Sequence, residues 1–204
     1  MMILQLIKEE DVAEVLEIYT SYILNTAITY EYEVPVLESF SERVSHYTEQ
    51  YPWIVAKEQG KIAGYAYAST YREREAYQWC CELSVYLRPE FQGMDLGRTL
   101  YSALMDLLTL QGYYTAYGVI TVPNEASIGL HRQLGFSMEG VQKNCGFKLG
   151  KWHDTAIMSK MLQDIIQNRR DRRNRFMSCL RKSLMRYWPK DRFINIKKTG
   201  AIKS

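Results

Sequence analysis

The chain has 204 residues, 47% of them hydrophobic, which is enough for one buried core and a small appendage. No apolar run approaches the ~20 residues that a membrane-spanning helix needs. The net charge of +3 is split: residues 1–162 carry 13 Lys/Arg against 20 Asp/Glu, and residues 163–204 carry 13 against 3. The break predicts an acidic folded body over 1–162 and a separate basic tail over 163–204.

The start, Met1-Met2-Ile3-Leu4-Gln5-Leu6, has no basic opening and no long apolar stretch, and Glu9-Glu10-Asp11 follows. That is not the pattern of a secretion signal, so a cytoplasmic protein is expected. Residues 2–7 read as a first strand. Val12, Val15, Leu16 and Tyr19 recur at helical spacing after Asp11. Residues 25–33 read as a loop that exposes Thr26, Thr29, Tyr30 and Tyr32. A second helix runs from Pro35 through Phe40, Val44 and Tyr47. Residues 53–57 and 61–70 are two strands about a turn at Gln59-Gly60.

Residues 82–87, ELSVYL, alternate as the next strand, and Arg88-Pro89 close it. Gln92-Gly93-Met94-Asp95-Leu96-Gly97 then opens a helix at Arg98 that carries Leu100, Leu104, Leu107 and Leu108 on one side and ends near Gly112. A strand that passes through a glycine-bearing loop into a helix N-terminus makes an anion site. Unpaired amides and the positive end of the helix dipole point at it. Residues 114–121 are a strand, and 124–134 are a helix with Gly135 as its C-terminal signal. Residues 136–145 and 155–161 supply the last two strands. Helices alternate with strands in the middle and hairpins lie at the ends, so the class is a mixed α/β sheet.

Cys80 and Cys81 are adjacent on a strand, point to opposite faces and pair poorly; with Cys145 and Cys179 they fit a reducing compartment. His46, His131 and His153 have no metal-ligand spacing, so no metal is expected. In the tail, the run from Arg169 to Arg175 precedes Phe176, Met177, Leu180, Leu184, Met185, Tyr187 and Trp188, which lie near helical spacing. A basic amphipathic helix there suits an acidic membrane surface, nucleic acid or an acidic protein face. It suits equally the chain's own acidic body or a second subunit, as in a homodimer.

The strand, loop and helix around Gln92-x-x-x-x-Gly97 resemble the central motif of the GNAT acyl-CoA N-acyltransferases. Tyr51-Pro52-Trp53, the segment from Arg72 to Trp79, Val122-Pro123-Asn124, Leu130-His131, Leu134-Gly135-Phe136 and Gly146-Phe147-Lys148 narrow the resemblance. They point to its phosphinothricin N-acetyltransferase-like branch, over roughly residues 2–160. The resemblance implies a GNAT fold, a twisted and splayed sheet of about seven strands with four helices. It also implies an enzyme that acetylates the α-amine of a small amino acid of the phosphinothricin or methionine sulfoximine type, with acetyl-CoA as co-substrate.

Residue by residue, the resemblance implies Glu82 as general base and His131 as a catalytic or positioning group. Without the family, Glu82 is a strand carboxylate and His131 a packed helix side chain. Acetyl-CoA would be held by Gln92, Gly93, Met94, Asp95, Leu96, Gly97 and Arg98, by the backbone of Val85, Tyr86 and Leu87, and by Asn124. Asn124 is also a natural helix N-cap. The substrate would be met by Tyr30, Arg72, Arg74 and Tyr77. In the alternative, Glu73 and Glu75 pair with the two arginines in a solvated loop. Asp95 stands where the family pattern has glycine. A free carboxylate ~5 Å from the pyrophosphate would cost roughly 3 kcal/mol. Two other functions stay open: a weakly catalytic GNAT-fold binding or regulatory module, and an N-acetyltransferase for another amine, such as a protein N-terminus or a polyamine. The arginine pair speaks against a polyamine.

Overall fold

The computed structural model describes residues 2–164. The expected basic helix of the tail lies outside the described residues.

Seven strands form one sheet: β1 (Met2–Leu6), β2 (Trp53–Glu58), β3 (Lys61–Thr70), β4 (Cys80–Leu87), β5 (Thr115–Val122), β6 (Ser137–Lys148) and β7 (Lys151–Met161). Their order across the sheet is β1-β2-β3-β4-β5-β7-β6. Every pairing is antiparallel except that of β4 with β5. Among the described residues there are four α-helices: α1 (Val12–Asn25), α2 (Leu37–Thr48), α3 (Leu96–Gln111) and α4 (Glu125–Gln133). The mixed α/β class, the strand number and the helix number match the sequence expectation.

Strand alternation divides the core into two. Trp53, Val55, Tyr65 and Tyr86 turn to one face and are covered by Val15, Ile18 and Tyr19 of α1 and Phe40 and Val44 of α2. Ile54, Ala56, Ala66, Ala68, Cys81 and Leu83 turn to the other and are covered by Leu100, Leu104, Leu107 and Leu108 of α3. The small residues on that second face let α3 sit close to the sheet. At ~25 cal/mol per Å2 of apolar surface removed from water, each buried leucine of α3 contributes roughly 2 kcal/mol.

Two boundaries differ from expectation. β4 starts at Cys80, so Glu82 is its third residue and not its first. The β6–β7 hairpin, with register shifts at Met138/Gly140 and Gln142/Gly146, extends to a two-residue turn at Leu149-Gly150, with φ of 51° and 76°. Two left-handed residues in succession make the tight hairpin turn whose twist matches the strands. Leucine is a poor marker for such a turn, so the sequence suggested a longer loop there.

A splayed strand pair, an anion loop and an open sheet face

The single parallel pairing is short. β4 and β5 are in register only at Cys80–Thr115, Cys81–Ala116 and Glu82–Tyr117, although β4 continues to Leu87 and β5 to Val122. Beyond Glu82 the two strands part. Arg88 N–H donates to Ala63 O, so Arg88, Tyr86 and Ser84 aim their backbone groups at β3. By alternation, Leu83, Val85 and Leu87 aim theirs into the gap. Leu162 N–H donates to Tyr114 O, so the even residues of β5 face β7, and Val119 and Thr121 face the gap from the other side. Of the three β4 residues expected to offer backbone groups, Val85 turns its own into the gap, Tyr86 presents its backbone to β3, and the N–H and C=O of Leu87 are both taken by Tyr22 Oη.

Two tyrosines that the sequence did not single out hold the gap in shape. Tyr101 Oη of α3 donates to Leu83 O at 3.1 Å, taking the place of the missing strand. Tyr22 Oη of α1 donates to Leu87 O at 2.7 Å and accepts from Leu87 N at 3.2 Å and from Gln92 Nε2 at 3.3 Å. Strand end and loop start are tied to one side chain.

The loop is open at its start and runs into the first turn of α3. Gly93 has φ of 72°, and a Cβ there would meet nothing within 4 Å, so its surroundings are open. Gly97 lies under Leu130, whose Cδ2 would be 3.3 Å from an added Cβ. This packs α3 against α4 and brings the first turn of α3 beside the gap. Leu96, Gly97 and Arg98 open that helix, where the amides have no carbonyl one turn back. Met94 is exposed.

Asp95 adopts left-handed backbone, φ 63° and ψ 7°, in the glycine position of the family pattern. Its carboxylate does not face the loop alone. Arg98 Nε donates to Oδ1 at 2.7 Å and Nη2 donates to Oδ2. The Arg98 hydrogen bonds hold the Asp95 carboxyl below its usual range. Asp95 thus neutralises the cation of the loop instead of standing there as a bare negative charge. The pair is about half exposed, so it is weak in itself. Asp95→Gly should free the guanidinium and tighten acetyl-CoA binding by about threefold to thirtyfold, less at high salt. Arg98→Ala should cost more affinity in the Asp95→Gly protein than in the native one. Titration calorimetry of the four proteins at two salt concentrations checks both statements.

Past β4, no helix among the described residues covers the sheet face that carries α1 and α2. Glu82 turns to this face with its register partner Tyr117. Beyond them on the same face come Val119 opposite Ile157 and Thr121 opposite Thr155. Val119 is 42% exposed on this floor. Glu82 itself is half-buried, and burial pushes its carboxyl up to about 7 from an ordinary 4.5. Such a carboxyl is divided between acid and base at neutral pH, as a general base requires.

Tyr30 closes the far end of the floor. Its Oη bonds Thr155 Oγ1 at 3.0 Å, and its ring lies on Gly146, where a Cβ would come within 2.6 Å of Cε1. Lys148 Nζ donates to Thr29 O at 2.7 Å, and Tyr32 Oη donates to Phe147 O. The loop between α1 and α2 is thereby fastened to the β6–β7 hairpin.

At the near end lies an open cleft of about 720 Å3, lined by Arg72, Arg74 and Tyr77 together with Tyr47, Tyr51 and Thr70. Glu82 is outside its wall. Arg72 Nη1 donates to Tyr77 Oη at 3.1 Å, and its guanidinium lies 5.2 Å from the Tyr71 ring centre and 5.1 Å from that of Tyr77. Arg74 is exposed, and its carbonyl accepts from Tyr77 N–H at the short turn Glu75–Tyr77. The structure thus gathers three of the four expected substrate residues and sets Tyr30 apart from them.

His131 is not on the floor. Gly118, next after Tyr117, turns to the α3/α4 face, and the His131 ring covers it; an added Cβ would lie 2.6 Å from Cδ2. The histidine is 2% exposed and meets Tyr101 and Phe136 edge to face at 5.4 and 4.9 Å. Nδ1 bonds Ser127 O at 2.8 Å, so Nδ1 carries the proton and Nε2 carries a lone pair. Burial lowers the pKa of the ring. Nε2 has no hydrogen-bond partner among the described residues. His131 is therefore a neutral acceptor where β5 leaves β4, on the opposite face from Glu82. Asn124 Oδ1 accepts from Ser127 N–H at 3.1 Å. It is the cap of α4, and its amide NH2 is left for another partner.

Known proteins resemble this chain in sequence and fold. A profile for the acetyltransferase (GNAT) domain matches residues 4–157. The phosphinothricin N-acetyltransferase of Streptomyces viridochromogenes is 33% identical over 150 residues, 74% of this chain and 82% of that protein. The L-methionine sulfoximine/L-methionine sulfone acetyltransferase of Salmonella typhimurium is 32% identical over 158 residues, 76% and 91% of the two chains. A GNAT superfamily phosphinothricin acetyltransferase from Sinorhizobium meliloti, crystallised with acetyl-CoA, superposes with a TM-score of 0.80 at 38% identity, covering 83% of this chain and 93% of that one.

Proposed function

The chain belongs to the GNAT acetyltransferase family, and on that footing we propose that it acetylates the α-amine of a small amino acid of the phosphinothricin or methionine sulfoximine type. It is an N-acetyltransferase with acetyl-CoA as co-substrate. The observation that carries the acceptor reading is Glu82, a carboxyl pushed up to about 7 on an open face beside the gap.

Acetyl-CoA supplies the activated thioester carbonyl. The parts that fit it are the backbone groups of Val85 in the gap, the open loop at Gly93, and the first-turn amides of α3. Glu82 takes a proton from the ammonium of the acceptor, directly or through water, and so makes a nucleophilic amine. Arg74 and Arg72 hold a negative or strongly polar group of the acceptor. His131, neutral, gives Nε2 as a hydrogen-bond acceptor at the base of the gap. It is not an acid there, because its one proton is committed to Ser127. Cys80, Cys81 and Cys145 form no disulfide among the described residues, which suits a cytoplasmic protein.

The test is acetyl-CoA turnover against phosphinothricin, methionine sulfoximine, methionine sulfone, the common amino acids, a peptide N-terminus and a polyamine. The sulfur and phosphorus amino acids should be used best. Arg74→Ala should raise their KM at least tenfold while acetyl-CoA affinity stays within twofold. Faster turnover of the peptide or polyamine than of every amino acid would overturn the reading.

A further inference from the structure

A pair of rings lies between the base and the arginines. Tyr71 and Tyr117 are stacked with centroids 3.8 Å apart and planes 4° from parallel. Tyr117 is the β5 partner of Glu82 on the same face. Tyr71 follows Thr70, the register partner of Cys81, so by alternation it shares the face of Ser69 and Glu82. Its ring reaches across the start of β4 to meet Tyr117. Arg72 lies 5.2 Å from the Tyr71 ring centre, and the cleft of Arg72 and Arg74, lined also by Glu73 and Glu75, includes neither Glu82 nor the two rings. The sequence of groups is base, ring, ring, cation.

We propose that the Tyr71–Tyr117 stack is the specificity wall of the acceptor site, selecting amino acids by side-chain length. The inference rests on the amino-acid reading above. The amine and carboxylate of an α-amino acid are held a single carbon apart. With the amine at Glu82, the carboxylate stays on the Glu82 side of the rings. Only a side chain can run along them, and it must be long enough to bring a polar head to the arginines. A polar head several bonds beyond Cα suits that condition; alanine and serine carry none. The apolar edges of the stacked rings also favour a methylene chain lying against them. The stack itself is held by Arg72 on Tyr71, so wall and cation keep one geometry.

The test is kcat/KM at saturating acetyl-CoA for methionine sulfone, phosphinothricin, alanine and serine, in native protein, Tyr117→Ala, Tyr117→Phe and Tyr71→Ala. Native protein should prefer the two long acceptors at least tenfold. Tyr117→Ala and Tyr71→Ala should cut that preference to threefold or less, chiefly through the long acceptors, and Tyr117→Phe should keep it. Tyr71 lies off the strand, so its variant reports on the wall even if Tyr117→Ala folds poorly. An acetyl-CoA affinity within twofold of native shows the donor site intact. Equal losses for all four acceptors, or no loss, would overturn the wall while leaving the amino-acid reading in place. A native protein that acetylates none of the four, yet acetylates a peptide, would overturn the amino-acid reading and the wall with it.

Discussion

Glu82→Gln should lower turnover by about 100-fold, since a positioned base typically contributes that much, with acetyl-CoA affinity unchanged. In native protein kcat/KM should rise with pH through about 7 and then level, because the carboxyl must lose its proton before it can accept one. The rising limb should vanish in the Gln variant. Burial lowers the His131 pKa, so any limb from its ring should fall at lower pH than that of Glu82. The same carboxyl has a stability consequence. Its folded value lies above the ordinary 4.5, so the native state resists its ionisation. The penalty is absent below about 4.5, grows between 4.5 and 7, and is complete above. Glu82→Gln should therefore stabilise the protein at pH 8 by up to about 3 kcal/mol and change little at pH 4. Urea unfolding at both pH values, beside the pH–rate profile, checks the assignment. A flat profile in native protein would remove Glu82 from the chemistry.

Gly118→Ala should destabilise the fold by about 3 kcal/mol, the upper end of the ordinary cost of overpacking. The added Cβ would meet the His131 ring. That ring is pinned by Ser127, Tyr101 and Phe136 and cannot swing out cheaply. In a His131→Ala background the same change should cost less than about 1 kcal/mol, because the methyl then enters the space the imidazole left. Urea unfolding of the four proteins gives the coupling energy directly. Additive costs would show that the histidine and the glycine are not a matched pair. His131→Asn, which keeps a polar group near the strand, separates a packing role from an acceptor role. Recovery of stability without recovery of turnover would favour the acceptor.

Strong periodic signals made most of the fold legible. The leucines of α3 recur at helical spacing, and β4 alternates, so both elements and the anion loop between them could be placed from residues alone. The seven-strand sheet and the family came from motifs in their order. The Leu149-Gly150 turn was hidden, because a leucine in left-handed backbone has no sequence mark.

The sequence by itself determined that Glu82 lies on a strand feeding a glycine-bearing loop at a helix start, and that arginines precede it. Register and sheet face are tertiary facts, and they decided the rest. Glu82 and His131 could both be named as catalytic candidates, yet strand alternation puts them on opposite faces. The Asp95 carboxylate, in the glycine position, was expected to oppose the phosphates. Helical spacing brings Arg98 over it, and the charge is shared. Tyr22, Tyr101, Tyr71 and Tyr117 stand among 16 tyrosines of one composition. Only their contacts distinguish them: two shape the gap, and two stand as a wall between base and cation. A residue type states what chemistry is available. The path of the backbone decides which groups that chemistry can reach.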